Sequence, residues 1–197
     1  MQQNSMKSMT TRKIVLTGLL AALTVAGSAI RVTLPIDIGG TTSFHLGNIM
    51  CALAGILLGP WYGGLAAGLG SAIYDMLNPL YISECWLTFL TKGAYGLVAG
   101  LVACIAIRSW NTKVRFSYLR AISGTVAGAL TYAILYLAKS YFYSGLLLKG
   151  LTPEAAMISV VSKLPATTFN AAVAIIAAPL LAMGISKALE KARLSIH

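Results

Sequence analysis

The chain has 197 residues, 57% of them hydrophobic and 10% charged, with a mean hydropathy of +0.79 and a formal net charge of +10. A soluble domain carries roughly 25% charged residues, so this composition excludes an ordinary soluble enzyme and points to an integral membrane protein. The basic residues sit mainly at the ends of apolar runs, which excludes a nucleic-acid-binding surface as the reason for the charge.

Six apolar spans are predicted, over about 13–33, 45–59, 61–78, 86–107, 118–143 and 157–187. The expected fold is all-α, one bundle of six transmembrane helices forming a single domain over 1–197. Residues 1–12 are a polar N-terminus, without a cleavable signal pattern. On span one, Gly18, Ala22 and Ala26 recur at a spacing of four and form a stripe of small residues. Packing within the bundle is the default role of such a stripe. The segment 34–43 is too polar and glycine-rich to continue that span; Pro35 stiffens its start. With Asp37, Gly39 and Gly40 it suits a movable lid, an ordinary mobile loop being the alternative.

The run from Phe44 to Pro79 is the most informative. Two apolar stretches meet at the turn signal Leu58-Gly59-Pro60-Trp61. The stretch before the turn is short, roughly 18 Å from Gly47 to Leu58 at 1.5 Å per residue. The one after it aligns Gly64, Gly68, Ser71, Asp75 and Asn78 on one face. Glycines there admit a close neighbour, and an acid at the end of such a face is costly in lipid and usually functional. Span four carries Thr88, Lys92 and Tyr95 on one face. Span five carries Tyr132, Tyr136, Lys139 and Tyr143, and span six carries Lys163, Thr167 and Asn170, with Pro165 and Pro179 inside it.

Four helices thus offer polar groups at similar depth, and aromatic walls with a few convergent polar groups describe a small-molecule site. The candidate substrate-binding set is Asp75, Asn78, Lys92, Tyr132, Tyr136, Lys139, Lys163, Thr167 and Asn170. Lys92 or Lys163 pairing with Asp75 or Glu84 as structural glue is an equally good reading. Lys139 and Lys149 are also placed to snorkel. Tyr143 and Trp86 read first as interfacial residues, and His45 as a helix-end residue. Cys51, Cys85 and Cys104 lie in or beside apolar runs and suit small buried hydrophobes better than a disulfide or metal set. No HExxH, Walker A or GxSxG sequence is present, so neither catalysis nor ATP hydrolysis has a motif, and no cofactor or metal is expected.

Lys7, Arg12 and Lys13, then Arg108, Lys113, Arg115 and Arg120, then Lys187, Lys191 and Arg193 fall on one side of a six-span bundle. The positive-inside rule makes that side, with both termini, cytoplasmic.

Phe44-His45-Leu46-Gly47-Asn48, Leu53-Ala54-Gly55, Leu58-Gly59-Pro60, Gly63-Gly64, Ala67-Gly68, Gly70-Ser71 and Tyr74-Asp75 leading to Asn78-Pro79 resemble, in that order, the S components of energy-coupling factor (ECF) transporters. Ala22 to Ala26 matches the family's alanine-x-x-x-alanine pattern on helix one. The resemblance implies a multi-pass cell-membrane protein that binds a vitamin, vitamin precursor or metal ion near the outer surface under closing loops. It also implies partners, a transmembrane coupling subunit (EcfT-type) and two ATP-binding subunits, with Gly18, Ala22 and Ala26 as the docking face. Energy then comes from those partners. The start Met1-Gln2-Gln3-Asn4-Ser5 lacks the histidine of the nickel and cobalt members. Tyr74 to Pro79 looks most like the hydroxymethylpyrimidine or pyridoxine members. The outer-half lysines would equally meet the carboxylate or phosphate of pantothenate or cobalamin, and folate is a further alternative. A stand-alone secondary transporter or channel is the alternative of another class.

Overall fold

The computed structural model describes residues 2–36, 40–105 and 117–191. Helix α1 (Gln2–Ala29) buries Thr17, Leu20, Ala21, Thr24, Gly27 and Ser28, one face at three- and four-residue spacing. Thr17 and Thr24 donate back to the carbonyls of Lys13 and Leu20 at 2.7 and 2.8 Å, so both hydroxyls are satisfied inside an apolar contact. The predicted span ran to residue 33, but the helix stops at Ala29. Strand β1 (Arg31–Ile36) follows and pairs antiparallel with β2 (Gly40–His45), Arg31 opposite His45 and Ile36 opposite Gly40. Val32, Thr33, Thr41 and Thr42 favour extended backbone. Pro35 forbids a continued helix and is tolerated on the edge of a two-stranded ribbon. What the sequence suggested was a loop is therefore a hairpin. Gly40 opens its second strand; Asp37 and Gly39 lie outside the described residues.

Helix α2 (Gly47–Met76) is two arms folded on each other. Gly59 takes φ 76° and ψ −175°, a backbone that only glycine enters cheaply. Pro60 follows and has no N–H to leave unbonded. The reversal is visible in two distances. A Cβ on Gly63 would lie 2.5 Å from the Gly55 Cα, and Cys51 Sγ is 3.6 Å from Ser71 Oγ. Residues twenty apart in a straight helix are about 30 Å apart.

A 3-10 turn (Ile82–Glu84) leads into α3 (Cys85–Ile105). Here the predicted glycine face does its packing: a Cβ on Gly64 would meet the Gly93 carbonyl oxygen at 3.0 Å, and one on Gly68 the Phe89 carbonyl oxygen at 2.8 Å. Helix α4 (Tyr118–Lys139) continues into a π-helical stretch, Ser140–Leu148, beyond the predicted span end at 143. Helix α5 (Pro153–Lys191) has 39 residues, about 58 Å of helix, with Pro165 and Pro179 inside it. Alanines and tyrosines of α2, α3, α4 and α5 form the core, with Tyr95, Ala99 and Ala174 fully buried. Cys51 is buried, whereas Cys85 and Cys104 are half-buried, and all three are free thiols.

Among the described residues five helices are long and apolar enough to cross a membrane. Two of the six predicted spans fall within the one element α2. The protein is an all-α membrane protein with one small β-hairpin added between its first two helices.

Candidate functional site

The hairpin, the C-terminal ends of α1, α2 and α4, and the N-terminal parts of α3 and α5 meet at one end of the bundle. They enclose a cavity of about 310 Å³. Of the nine residues predicted to bind substrate, the structure brings eight to its wall: Asp75, Lys92, Tyr132, Tyr136, Lys139, Lys163, Thr167 and Asn170. Asn78 is not among the lining residues. Its side-chain oxygen accepts the Leu80 N–H at 3.1 Å and its amide donates to Tyr74 Oη at 3.4 Å, so it shapes the turn after α2.

The wall is strongly cationic. Arg31, Lys92, Lys139, Lys149 and Lys163 face two acids, Asp75 and Glu84. Lys139 pairs with Glu84 at 2.8 Å and also donates to Thr88 Oγ1 at 3.1 Å. Ser144 donates its hydroxyl to the other Glu84 oxygen at 2.6 Å. Lys139 is thus ion-paired on the cavity wall. Lys92 is buried, donates to the Asn48 side-chain oxygen, and sits 3.9 Å above the centroid of the Tyr132 ring. Lys163 is buried as well and donates to Ser140 Oγ at 3.3 Å, with the Tyr136 centroid 5.9 Å away. Thr167 turns its hydroxyl back to the Lys163 carbonyl at 2.9 Å. Neither Lys92 nor Lys163 forms an ion pair with Asp75 or Glu84 among the described residues.

Tyr95, Tyr132 and Tyr136 stack in series, with centroids 5.8 and 5.5 Å apart, from the core to the cavity wall. Tyr95 Oη is buried and has no hydrogen-bond partner among the described residues. Trp86 and Tyr143 pack edge to face at 5.6 Å, and Tyr143 donates to the Ser83 carbonyl at 3.1 Å, outside the lining set.

The hairpin forms the cover. Asn170 of α5 donates to the Ser43 carbonyl at 2.8 Å and accepts the His45 N–H at 3.1 Å, gripping the β2 backbone on both sides of Phe44. The Phe44 ring meets Phe169 edge to face at 5.0 Å. On the other strand, the Arg31 guanidinium lies 4.2 and 5.2 Å from the ring centroids of Tyr74 and Tyr81, while its Nε donates to the Ser28 carbonyl at 2.8 Å. His45 encloses its Nδ1 without a partner among the described residues. Burial first, then the charges of Lys92 and Arg31, hold its pKa well below the ordinary imidazole value.

Sequence reasoning missed Arg31, Ser28, Thr42, Ser43 and His45 as lining residues. Thr42 and Ser43 lie in the hairpin that was read as loop, Ser28 and Arg31 at the end of predicted span one, and His45 at the start of predicted span two. The signal was present in the β-branched residues of 32–33 and 41–42. The stripe Gly18, Ala22 and Ala26 is exposed, on the α1 face turned away from the bundle, and beyond its chain neighbours and its own helix backbone no atom lies within 4 Å of where a Gly18 Cβ would be. Packing within this bundle is therefore not its role.

An apolar helical bundle with a covered polar cavity at one end defines a multi-pass, membrane-embedded substrate-binding protein. The chain belongs to the family of the ECF-type riboflavin transporter S component, whose model matches residues 8–187. A Pyrococcus woesei protein described as an uncharacterized protein in gap 3′ region is 32% identical over 124 residues, 63% of this chain and 74% of that protein. A UPF0397 protein of Streptococcus gordonii is 33% identical over 93 residues, 47% of this chain and 47% of its own length, so the match spans about half of that relative. The family is one of transporter subunits and not of enzymes. Its members bind a vitamin substrate and work with a coupling subunit and ATPase subunits.

Proposed function

We propose that the chain is the high-affinity substrate-binding subunit of an ATP-driven ECF importer for a water-soluble vitamin or vitamin precursor. The whole of 1–197 acts as one domain. The observation that carries this reading is the 310 Å³ cavity beneath the hairpin, at the bundle end away from Arg12, Lys13, Arg120, Lys187 and Lys191. Counting the two arms of α2 separately gives six passes. The basic end is then cytoplasmic, with both termini, and the cavity opens outward.

The volume lies at the small end of ligand sites, which span roughly 300–1,000 Å³. That favours a substrate of single-ring size, the size class of hydroxymethylpyrimidine and pyridoxine, and disfavours a corrinoid such as cobalamin. The riboflavin in the family's description, folate and pantothenate are the competing vitamins. Asp75, Lys92, Tyr132, Tyr136, Lys139, Lys163 and Thr167 are assigned to the substrate, and Asn170 acts through the hairpin. The exposed face of Gly18, Ala22 and Ala26 is assigned to the coupling subunit. Segment 34–43, with Asp37, Gly39 and Gly40, is assigned to the lid.

The test has two arms. Affinity purification from the native membrane is expected to bring down a coupling subunit and two ATPases, and mass spectrometry of the purified chain a bound vitamin. Uptake by this chain in vesicles without any ATPase would overturn the reading in favour of a stand-alone transporter.

A further inference from the structure

We infer that the cavity selects a ligand bearing an anionic group, a carboxylate or a phosphate ester, which pairs with a buried lysine of the wall, Lys92 or Lys163. This deepens the reading of the cavity as the substrate site and rests on it. The charge pattern carries the argument. Glu84 is already engaged by Lys139 at 2.8 Å and by the Ser144 hydroxyl at 2.6 Å. Lys92 and Lys163 are only 5% and 6% exposed, yet their hydrogen-bond acceptors are neutral, the Asn48 amide oxygen and the Ser140 hydroxyl. Arg31 likewise donates to a neutral carbonyl, that of Ser28. Asp75 is the remaining acid on the wall, set against these three cations.

Removing a cation from water is costly unless an opposite charge or full hydrogen bonding replaces the solvent. Ring faces and single neutral acceptors replace it in part. An incoming anion at either ammonium group completes it with a charge-assisted hydrogen bond. The half-buried Tyr136 ring, at the end of the tyrosine stack, supplies an apolar wall for the rest of the ligand. The volume of about 310 Å³ limits that remainder to one ring with a short substituent.

Two matched pairs of probes separate charge from shape: pyridoxine 5′-phosphate against pyridoxine, and nicotinate against nicotinamide. Binding is measured by titration calorimetry on the full chain in phosphatidylcholine nanodiscs, at low and at high salt. In at least one pair the anionic member is expected to bind at least tenfold more tightly, with a preference that weakens in salt. A preference in the first pair assigns the group as a phosphate, in the second as a carboxylate. Lys163→Met or Lys92→Met should erode the preference, and the matching Arg variant, which keeps the charge, should retain most of it; an unchanged preference in both Met variants overturns the inference. Equal or weaker binding of the anionic member in both pairs overturns the inference. So does a neutral molecule recovered from the purified chain by mass spectrometry, which would leave the vitamin-binding reading standing. Failure to recover any coupling subunit or bound vitamin would instead strike that underlying reading.

Discussion

Asn170 illustrates how far a single residue can be read. Its place on one face with Lys163 and Thr167 was legible from spacing alone. Its partner was not, because the β2 backbone it grips lies 125 to 127 residues earlier. Each of its two hydrogen bonds to β2 is worth about 0.5–1.5 kcal/mol. Asn170→Ala should loosen the cover and raise the ligand off-rate about tenfold, with a smaller change in on-rate. Stopped-flow dissociation checks this; an unchanged off-rate would mean that the hairpin is held by other contacts.

His45 offers a pH test at the same scale. Its pKa is depressed, so the folded protein holds it neutral while the unfolded chain protonates near pH 6.5. Its contribution to stability is complete above that value and declines as pH falls toward the folded pKa. The melting temperature should therefore drop between pH 7.5 and 5.5, and His45→Gln should flatten that drop. Parallel curves for the two proteins would place the pH dependence on other groups.

At the scale of elements, the turn at Leu58 to Trp61 and the glycine face after it were readable, because both are local patterns. The geometry they produce is tighter than pattern alone conveys. A Cβ on Gly100 of α3 would stand 2.6 Å from the Gly59 carbonyl carbon and 2.7 Å from the Gly55 oxygen and the Pro60 nitrogen. All three contacts are backbone, so nothing flexible can give way. Gly100→Ala should destabilise the bundle by about 1–3 kcal/mol, the usual cost of overpacking. Gly18→Ala, where nothing beyond its chain neighbours and its own helix backbone lies within 4 Å, should be neutral. Melting temperatures of the two variants in one detergent make the comparison. The hairpin was not legible in the same way. Its strands are short, β1 mostly apolar and β2 mostly polar, and Asn170 and Arg31 tie them to neighbouring helices. Likewise, nothing local announced that α4 would change to a π-helical winding at Ser140, which puts Ser140 and Ser144 on the cavity wall.

At the scale of the molecule, the clustered basic residues predict which end faces inward, and the structure separates the cavity from the outward face of α1. These two regions do not overlap. Thr17, Leu20, Ala21 and Thr24 hold α1 to the bundle, where a Cβ on Gly70 would press 2.4 Å from the Ala21 oxygen. Gly18, Ala22 and Ala26 lie on the opposite side, flanked by the exposed Leu19 and Leu23. Lipid chains have no need of a smooth stripe there, whereas a partner helix gains close backbone approach from it. Replacing Ala22 and Ala26 together by Trp should therefore abolish ATP-driven uptake and co-purification of the coupling subunit. Ligand affinity of the solitary chain should stay within about twofold, because none of the three small residues lines the cavity. Normal uptake in the double variant would assign the stripe to lipid contact and remove it as a docking face. Loss of binding alongside loss of uptake would show instead that α1 transmits its outward face to the site.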